Sequence, residues 1–259
     1  MYATNYFENQ MLNLMRNTSI TAPANVYLAL FLSNPGDSGS EGTEISYTNY
    51  ARQAVAFTAP AASGSGYMIQ NSAQISFAEA TSNVGTVTYV GVYDALTGGN
   101  LLLYGQLDTP LVVQSGVTPV FRANSVKWIW SGNITSYYTA AIMNTLRGEN
   151  CSGFNPYIAL CQGDPTAAGN EFSGDNYARF AVEFSAPVQQ SNGADQVSNN
   201  ADVISNSSTG SWGQLTYIAI ADAASNGNYF AVIALSSTFN MVTGSSAGFR
   251  AGNLKFNVN

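Results

Sequence analysis

NYARQAVAF at residues 49–57 returns as NYARFAVEF at residues 176–184. Working outward, VYLALFLSNP (26–35) answers PYIALCQGDP (156–165), and GTVTYVGVYDALTGGN (85–100) answers GQLTYIAIADAASNGN (213–228). FRA occurs at 121–123 and again at 249–251, so the order of the blocks is the same in both halves. All eight basic residues fall into matched pairs: Arg16 with Arg147, Arg52 with Arg179, Arg122 with Arg250 and Lys127 with Lys255, at offsets of 131, 127, 128 and 128. The chain is therefore an internal duplication, and comparing its halves shows which residues the architecture needs. Two domains are expected, 1–130 and 131–259. Their junction near Ser131-Gly132-Asn133 is short and not proline-rich, so they should pack against each other.

The acidic residues behave differently from the arginines. Of fifteen, only Glu44 with Glu171 and Asp94 with Asp222 coincide between the halves. Most acids thus read as drifting surface positions, whereas Arg52 and Arg179 read as anchors whose partners are the matched Glu or Asp of their own copy. A planar guanidinium can sit partly buried when a carboxylate and backbone carbonyls occupy its fork.

Each copy opens with a short helix. Phe7, Met11, Leu12 and Met15 recur at helical spacing and are mirrored by Tyr138, Ile142, Met143 and Leu146. Asn5 and Ser136 stand where an N-cap is expected, with Glu8 completing a capping box, and Asn17 and Gly148 stand where a left-handed residue stops the helix. The remainder reads as strands near 26–32, 52–57, 73–78, 86–93, 100–107, 111–114 and 118–129, with equivalents in the second copy. Gly98-Gly99-Asn100 and Asn226-Gly227-Asn228 supply the positive φ of hairpins. Segments 33–46 and 163–175 read as long loops. The expected fold is mainly β: two tandem antiparallel β-sandwich domains, each preceded by a short α-helix.

Charged residues make up only 9% of the chain, against about 25% in ordinary soluble domains. Such a surface, rich in hydroxyls and amides, suits a protein covered by neighbours. A net charge of −7 repels a polyanion, so nucleic acid is not expected as a partner. No apolar stretch approaches the roughly 18 residues that span a bilayer, so no membrane partner is expected either. MYATNYFENQ lacks the features of a secretion signal, and a soluble chain made in a cytoplasm is the expectation. Cys161 matches Phe31, a core-type exchange, and Cys151 and Cys161 are expected as free thiols, with a bond between them left open.

There is no histidine, which removes the commonest general base and zinc ligand together. A carboxylate-only glycoside hydrolysis would have to use Asp94 and Glu44 or their equivalents. An Asp before a hairpin, however, is better explained as a turn residue. Asp37, Glu41 and Glu44 could bind calcium, but their spacing is not that of an EF-hand loop, and a solvated loop is the simpler reading. Among the three tryptophans, Trp128, Trp130 and Trp212, the last is the one to test for an exposed, sugar-stacking role. No catalytic, cofactor-binding or metal-ligating residue is assigned.

The ordered blocks resemble a family of tailed-bacteriophage virion structural proteins, tail-fibre-like or head-decoration-like. Its pattern is carried here by the LALF-type strand and Asn-Pro turn (28–35), YARQAV-F (50–57), NSA-I-F (71–77), GTVT–G–DA (85–95) and GGNLL–G-L (98–107). The second copy keeps NYARFAVEF, Asp202 after an Asn-rich turn, and Asn228. The resemblance implies a non-enzymatic part of a phage particle, present in multiple copies and bound to other virion proteins. The first placement is a capsid decoration or cement protein on the major capsid protein. The second is a tail-fibre or adhesin subunit, with host glycan as a further partner. The third, a polysaccharide-degrading enzyme, is disfavoured by the chemistry above.

Overall fold

The structure is a computed structural model, and it describes residues 1–132, 134–166 and 170–258. Asn133, the end of the expected junction, and part of the loop expected at 163–175 lie outside the described residues.

The first repeat runs β1 (Tyr2–Ala3), α1 (Asn5–Asn13), β2 (Val26–Phe31), β3 (Gln53–Val55), β4 (Ala61–Ser63) and β5 (Gly66–Gln70). It continues with β6 (Ile75–Ser76), β7 (Gly85–Tyr93), β8 (Leu101–Val113), β9 (Val120–Phe121) and β10 (Lys127–Trp130). The second has α2 (Ser136–Thr145), β11 (Tyr157–Cys161), β12 (Phe180–Ala181), β13 (Val188–Gln189) and β14 (Asp195–Ser198). It ends with β15 (Val203–Ile204), β16 (Gly213–Ala221), β17 (Tyr229–Met241), β18 (Gly248–Phe249) and β19 (Lys255–Val258). The long strands β7 and β8 reappear as β16 and β17 at an unbroken offset of 128.

Antiparallel sheets are ordered β1-β8-β7-β2-β3 and β10-β5-β4 in the first repeat, and β12-β11-β16-β17 and β13-β14-β19 in the second. Small pairs β6-β9 and β15-β18 complete them. Inner faces of the large and small sheets meet in the core: Leu28, Leu30, Val92 and Leu103 share one cluster with Ile69, Ile75 and Trp128. The mainly β, two-copy architecture is thus the one expected.

Several local expectations change. The strands expected at 100–107 and 111–114 are one strand, β8. The interruption around Pro110 is a bulge, since Tyr89 pairs with Gln106 and Val87 with Leu111. A proline needs no ladder partner there. The stretch expected as one strand over 118–129 is two, β9 and β10, separated by a turn locked by buried Asn71. Its Nδ2 donates to the carbonyls of Ala73 and Arg122, both at 2.8 Å, and its Oδ1 accepts from Val126 N at 2.8 Å. Asn199 repeats this with Ala201, Arg250 and Leu254. The β4-β5 hairpin was not expected.

The helix caps lie one residue earlier than read: Thr4 and Thr135, both extended. Their hydroxyls donate to the carbonyls of Leu101 and Tyr229, tying each helix start to the first residue of β8 or β17 in its own sheet. Thr4 also accepts from Phe7 N at 3.4 Å, so Glu8 sits one position too late for a capping box. The stops are as expected, with Asn17 at φ 58 and Gly148 at φ 87.

Each helix packs on its own repeat and on the other. α1 lies against β8 and also against β14 and β19, while α2 lies against β17 and also against β5. Between the helices, Ile20 and Cys151 form an antiparallel bridge, N–H to O at 2.8 and 3.0 Å. Cys151 is Ile20's own counterpart, so a residue pairs with its duplicate, as on the axis of an isologous dimer. The main core runs continuously through this contact.

Candidate functional site

The repeated Tyr-Ala-Arg of the opening motif lies just before β3 in one repeat and β12 in the other, with its arginine bonded to the end of the long hairpin. Arg52 Nη2 meets Glu44 Oε2 at 2.8 Å, and Arg179 Nη2 meets Glu171 Oε2 at 2.7 Å. The free edge of each fork donates to hairpin carbonyls: Ala95 at 3.2 Å and Gly98 at 2.6 Å, or Ala223 at 2.9 Å and Asn226 at 2.6 Å. The tyrosine completes the clasp. Tyr50 donates to Glu44 at 3.0 Å and accepts from Leu30 N at 3.1 Å, and Tyr177 does the same with Glu171 at 2.8 Å and Leu160 N at 3.0 Å.

Side-chain exposures of 10% for Arg52 and 7% for Arg179, against 25% for Glu44 and 21% for Glu171, make these half-buried ion pairs. Burial opposes the charge on Arg52, but Glu44 outweighs it and raises the guanidinium pKa. Burial likewise pushes the Glu171 carboxyl up, yet hydrogen bonds from Arg179, Tyr229 and Tyr177 hold it below the ordinary range. The expected Glu partners are thus the ones found.

Asp94 and Asp222 instead cap the hairpins. Asp94 Oδ1 accepts from Asn100 N at 2.7 Å and Oδ2 from Asn100 Nδ2 at 2.8 Å, and Asp222 holds Asn228 in the same way at 2.8 and 3.3 Å. Gly99 and Gly227, at φ 72 and 69, are required because a Cβ there would stand 2.3 and 2.1 Å from the Asp oxygen. With Glu44 and Glu171 locked to arginine and both aspartates engaged in turns, the carboxylate-pair chemistry considered for Asp94 and Glu44 finds no support in the geometry.

The clasps differ in one compensated exchange. In the first repeat the ring under the guanidinium is Tyr93, 3.3 Å from centroid to Cζ, and in the second it is Tyr229 at 5.1 Å. Tyr93 pairs with Leu101 across the hairpin, and Ala221 with Tyr229. The aromatic has crossed from one strand to the other while still covering the arginine. In the second repeat the ring also enters the clasp through its hydroxyl, which accepts from Arg179 Nη2 at 3.3 Å and donates to Glu171.

Trp212 is buried, which overturns its expected exposed role: Nε1 donates to Asp175 O at 3.0 Å and the ring packs on Phe172 and Tyr177. Trp128 is buried against Phe7 and Trp130. In the acidic loop, Glu44 belongs to the clasp, and among the described residues no group of three acidic, Cys or His side chains could hold a metal. Both cysteines are free and buried, with burial pushing Cys151 up to about 11 and Cys161 to about 12.

Two matched clefts, of about 280 and 330 Å³, flank the Ile20–Cys151 bridge. The first is walled by Tyr6, Gln10, Thr21, Pro23 and Asp94, the second by Tyr137, Asn150, Ser152, Phe154 and Asp222. The sequence reading missed them. Their signal was the exposed Tyr6 and Tyr137, at 40% and 56%, recurring in the first helical turn of both copies.

A family model described as "Podophage GP4 fiber I protein gp80" matches the chain twice, over residues 2–129 and 133–257. No curated protein matches the chain.

Proposed function

Since the chain belongs to the podophage GP4 fiber I protein gp80 family through both of its repeats, we propose that it is a non-enzymatic structural protein of the phage virion, serving as a compact subunit of the fibre apparatus. The observation that carries this reading is the double match, which spans each repeat almost end to end. The family's description as a fibre protein supports a place in the fibre apparatus. The low content of charged residues, 9%, supports a surface largely covered by other virion proteins. Carboxylates committed to ion pairs and turns support a role without catalysis. The proposed units are 1–130 and 131–259, supported by β10 ending at Trp130 and the next helix being capped at Thr135.

The inter-repeat pseudo-dyad favours a second reading, a decoration protein whose two like halves bridge two neighbouring major capsid subunits. Quantitative mass spectrometry of purified particles separates the two. A few tens of copies or fewer supports the fibre apparatus, and stoichiometry near that of the major capsid protein supports decoration. Absence of the chain from particles refutes both. Assay of the purified chain against host surface polysaccharide tests the non-enzymatic part, which depolymerisation would end.

A further inference from the structure

Tyr6 and Tyr137 have no packing reason to match. Along the two helices the buried positions have changed, Phe7 to Tyr138, Met11 to Ile142 and Leu12 to Met143, while this exposed tyrosine has stayed. Its surroundings are matched too. Each cleft is lined by its tyrosine, an aspartate, a hydroxyl side chain (Thr21 or Ser152) and a buried apolar side chain (Leu102 or Phe154). Each tyrosine has one neighbour: Tyr6 Oη accepts from Gln10 Nε2 at 2.9 Å, and the Tyr137 ring rests edge-on against Tyr138 at 5.2 Å.

We propose that the two clefts are paired binding subsites for a neutral saccharide, one sugar ring stacking on each tyrosine and donating hydroxyls to Asp94 or Asp222. No basic residue walls either cleft, so an anionic ligand finds no counter-charge there. The carboxylates are fixed acceptors. Among the described residues Asp94 accepts from Asn100, and Asp222 from Asn228 and from Tyr138 Oη at 3.0 Å, so of roughly four acceptor sites each retains free capacity. An exposed ring beside preset acceptors matches a polyol with one apolar face, whereas a cation would find one carboxylate and no cluster of acids. The volumes fall at the small end of ligand sites, about 300 Å³, and suit short saccharide segments. Asp94 keeps more free capacity than Asp222, so the first cleft should be the tighter.

The inference rests on the virion reading only in taking these clefts to face solvent on the particle. The test uses the full-length protein on an array of defined neutral and uronate-containing oligosaccharides, followed by saturation-transfer NMR with the best neutral binder. Binding to neutral members, with transfer from tyrosine ring protons, is expected. Tyr6→Ala with Tyr137→Ala should weaken it by about tenfold or more, while Tyr6→Phe with Tyr137→Phe, which keeps both rings, should stay within about twofold. The Phe pair serves where the Ala pair fails to fold. No binding on the array, binding confined to uronate members, or an unchanged affinity in the folded Ala pair would each overturn the proposal. Particles lacking the Ala-pair protein would make the tyrosines assembly contacts and overturn it as well. Particle stoichiometry bears on the fibre reading alone, so the two fail separately.

Discussion

Glu8→Gln should make the protein insensitive to pH in a range where the wild type is not. Glu8 projects from α1 to the second repeat and is 1% exposed. One oxygen accepts from Asp195 N at 3.4 Å, while the other has no donor, and neither has the oxygen of Asn5 one turn earlier. Burial first, then the charges of Asp37 and Asp195, raise its carboxyl from 4.5 to about 8. Between those values the folded state holds a proton that the unfolded chain has released, so stability is full below about 4.5 and falls as pH rises to about 8. Each unit is worth about 1.4 kcal/mol, and screening around half-buried Asp37 discounts the interval to about 2–3 kcal/mol overall.

The amide carries no charge at any pH in this range. Urea denaturation from pH 5 to 8.5 should show the wild type losing about 2–3 kcal/mol and the variant under about 1 kcal/mol. At pH 8.5 the variant should melt about 5 °C higher. A lowered pKa at the Met1 amino group acts in the opposite direction, and raised values at Asp37 and Asp195 in the same one, so the comparison with the variant isolates Glu8. A wild type flat across this range, or two parallel curves, would refute the buried-proton account.

Arg179→Ala leaves half-buried Glu171 without its cation but still bonded to Tyr177 and Tyr229, and should cost about 1–3 kcal/mol by urea denaturation, with Arg52→Ala similar, whereas a loss under about 0.5 kcal/mol would show the clasps to be incidental. In the wild type that contribution is present above the ordinary Glu range and is lost as pH falls through the lowered Glu171 value. Asn71→Ala removes three buried hydrogen bonds and should cost about 2–3 kcal/mol, and Asn71→Asp should be no better, because a carboxylate cannot donate to two carbonyls. Gly153→Ala places a Cβ 2.4 Å from Thr18 N at the inter-repeat contact. It should cost about 1–3 kcal/mol in thermal melts, and an unchanged Tm would mean that the two segments can part freely.

Duplication made much of this legible, because each strong signal was read twice. The arginine clasps, helix stops and hairpin glycines follow from residues that agree between the halves. What escaped has physical causes. The N-cap hydroxyls at Thr4 and Thr135 take their place from sheet carbonyls about a hundred residues away, which no local pattern records. Pro110 reads as a strand break until the bulge opposite Thr88 is seen. Trp212 beside a glycine looked exposed, but its indole fills space over Tyr177 where the first repeat has the smaller Val84. The clefts were hidden because they lie between segments that only the reciprocal docking of the helices brings together.

That docking has a historical side. In an assembly of two identical chains, any substitution at the shared contact arrives twice, so neither partner can specialise without the other. Joining the copies in one polypeptide released them from this tie. Glu8 now faces Asp195 on one flank, whereas the matching places on the other are held by Thr139 and Tyr67. An acidic contact that two identical chains would carry on both flanks is carried here on one.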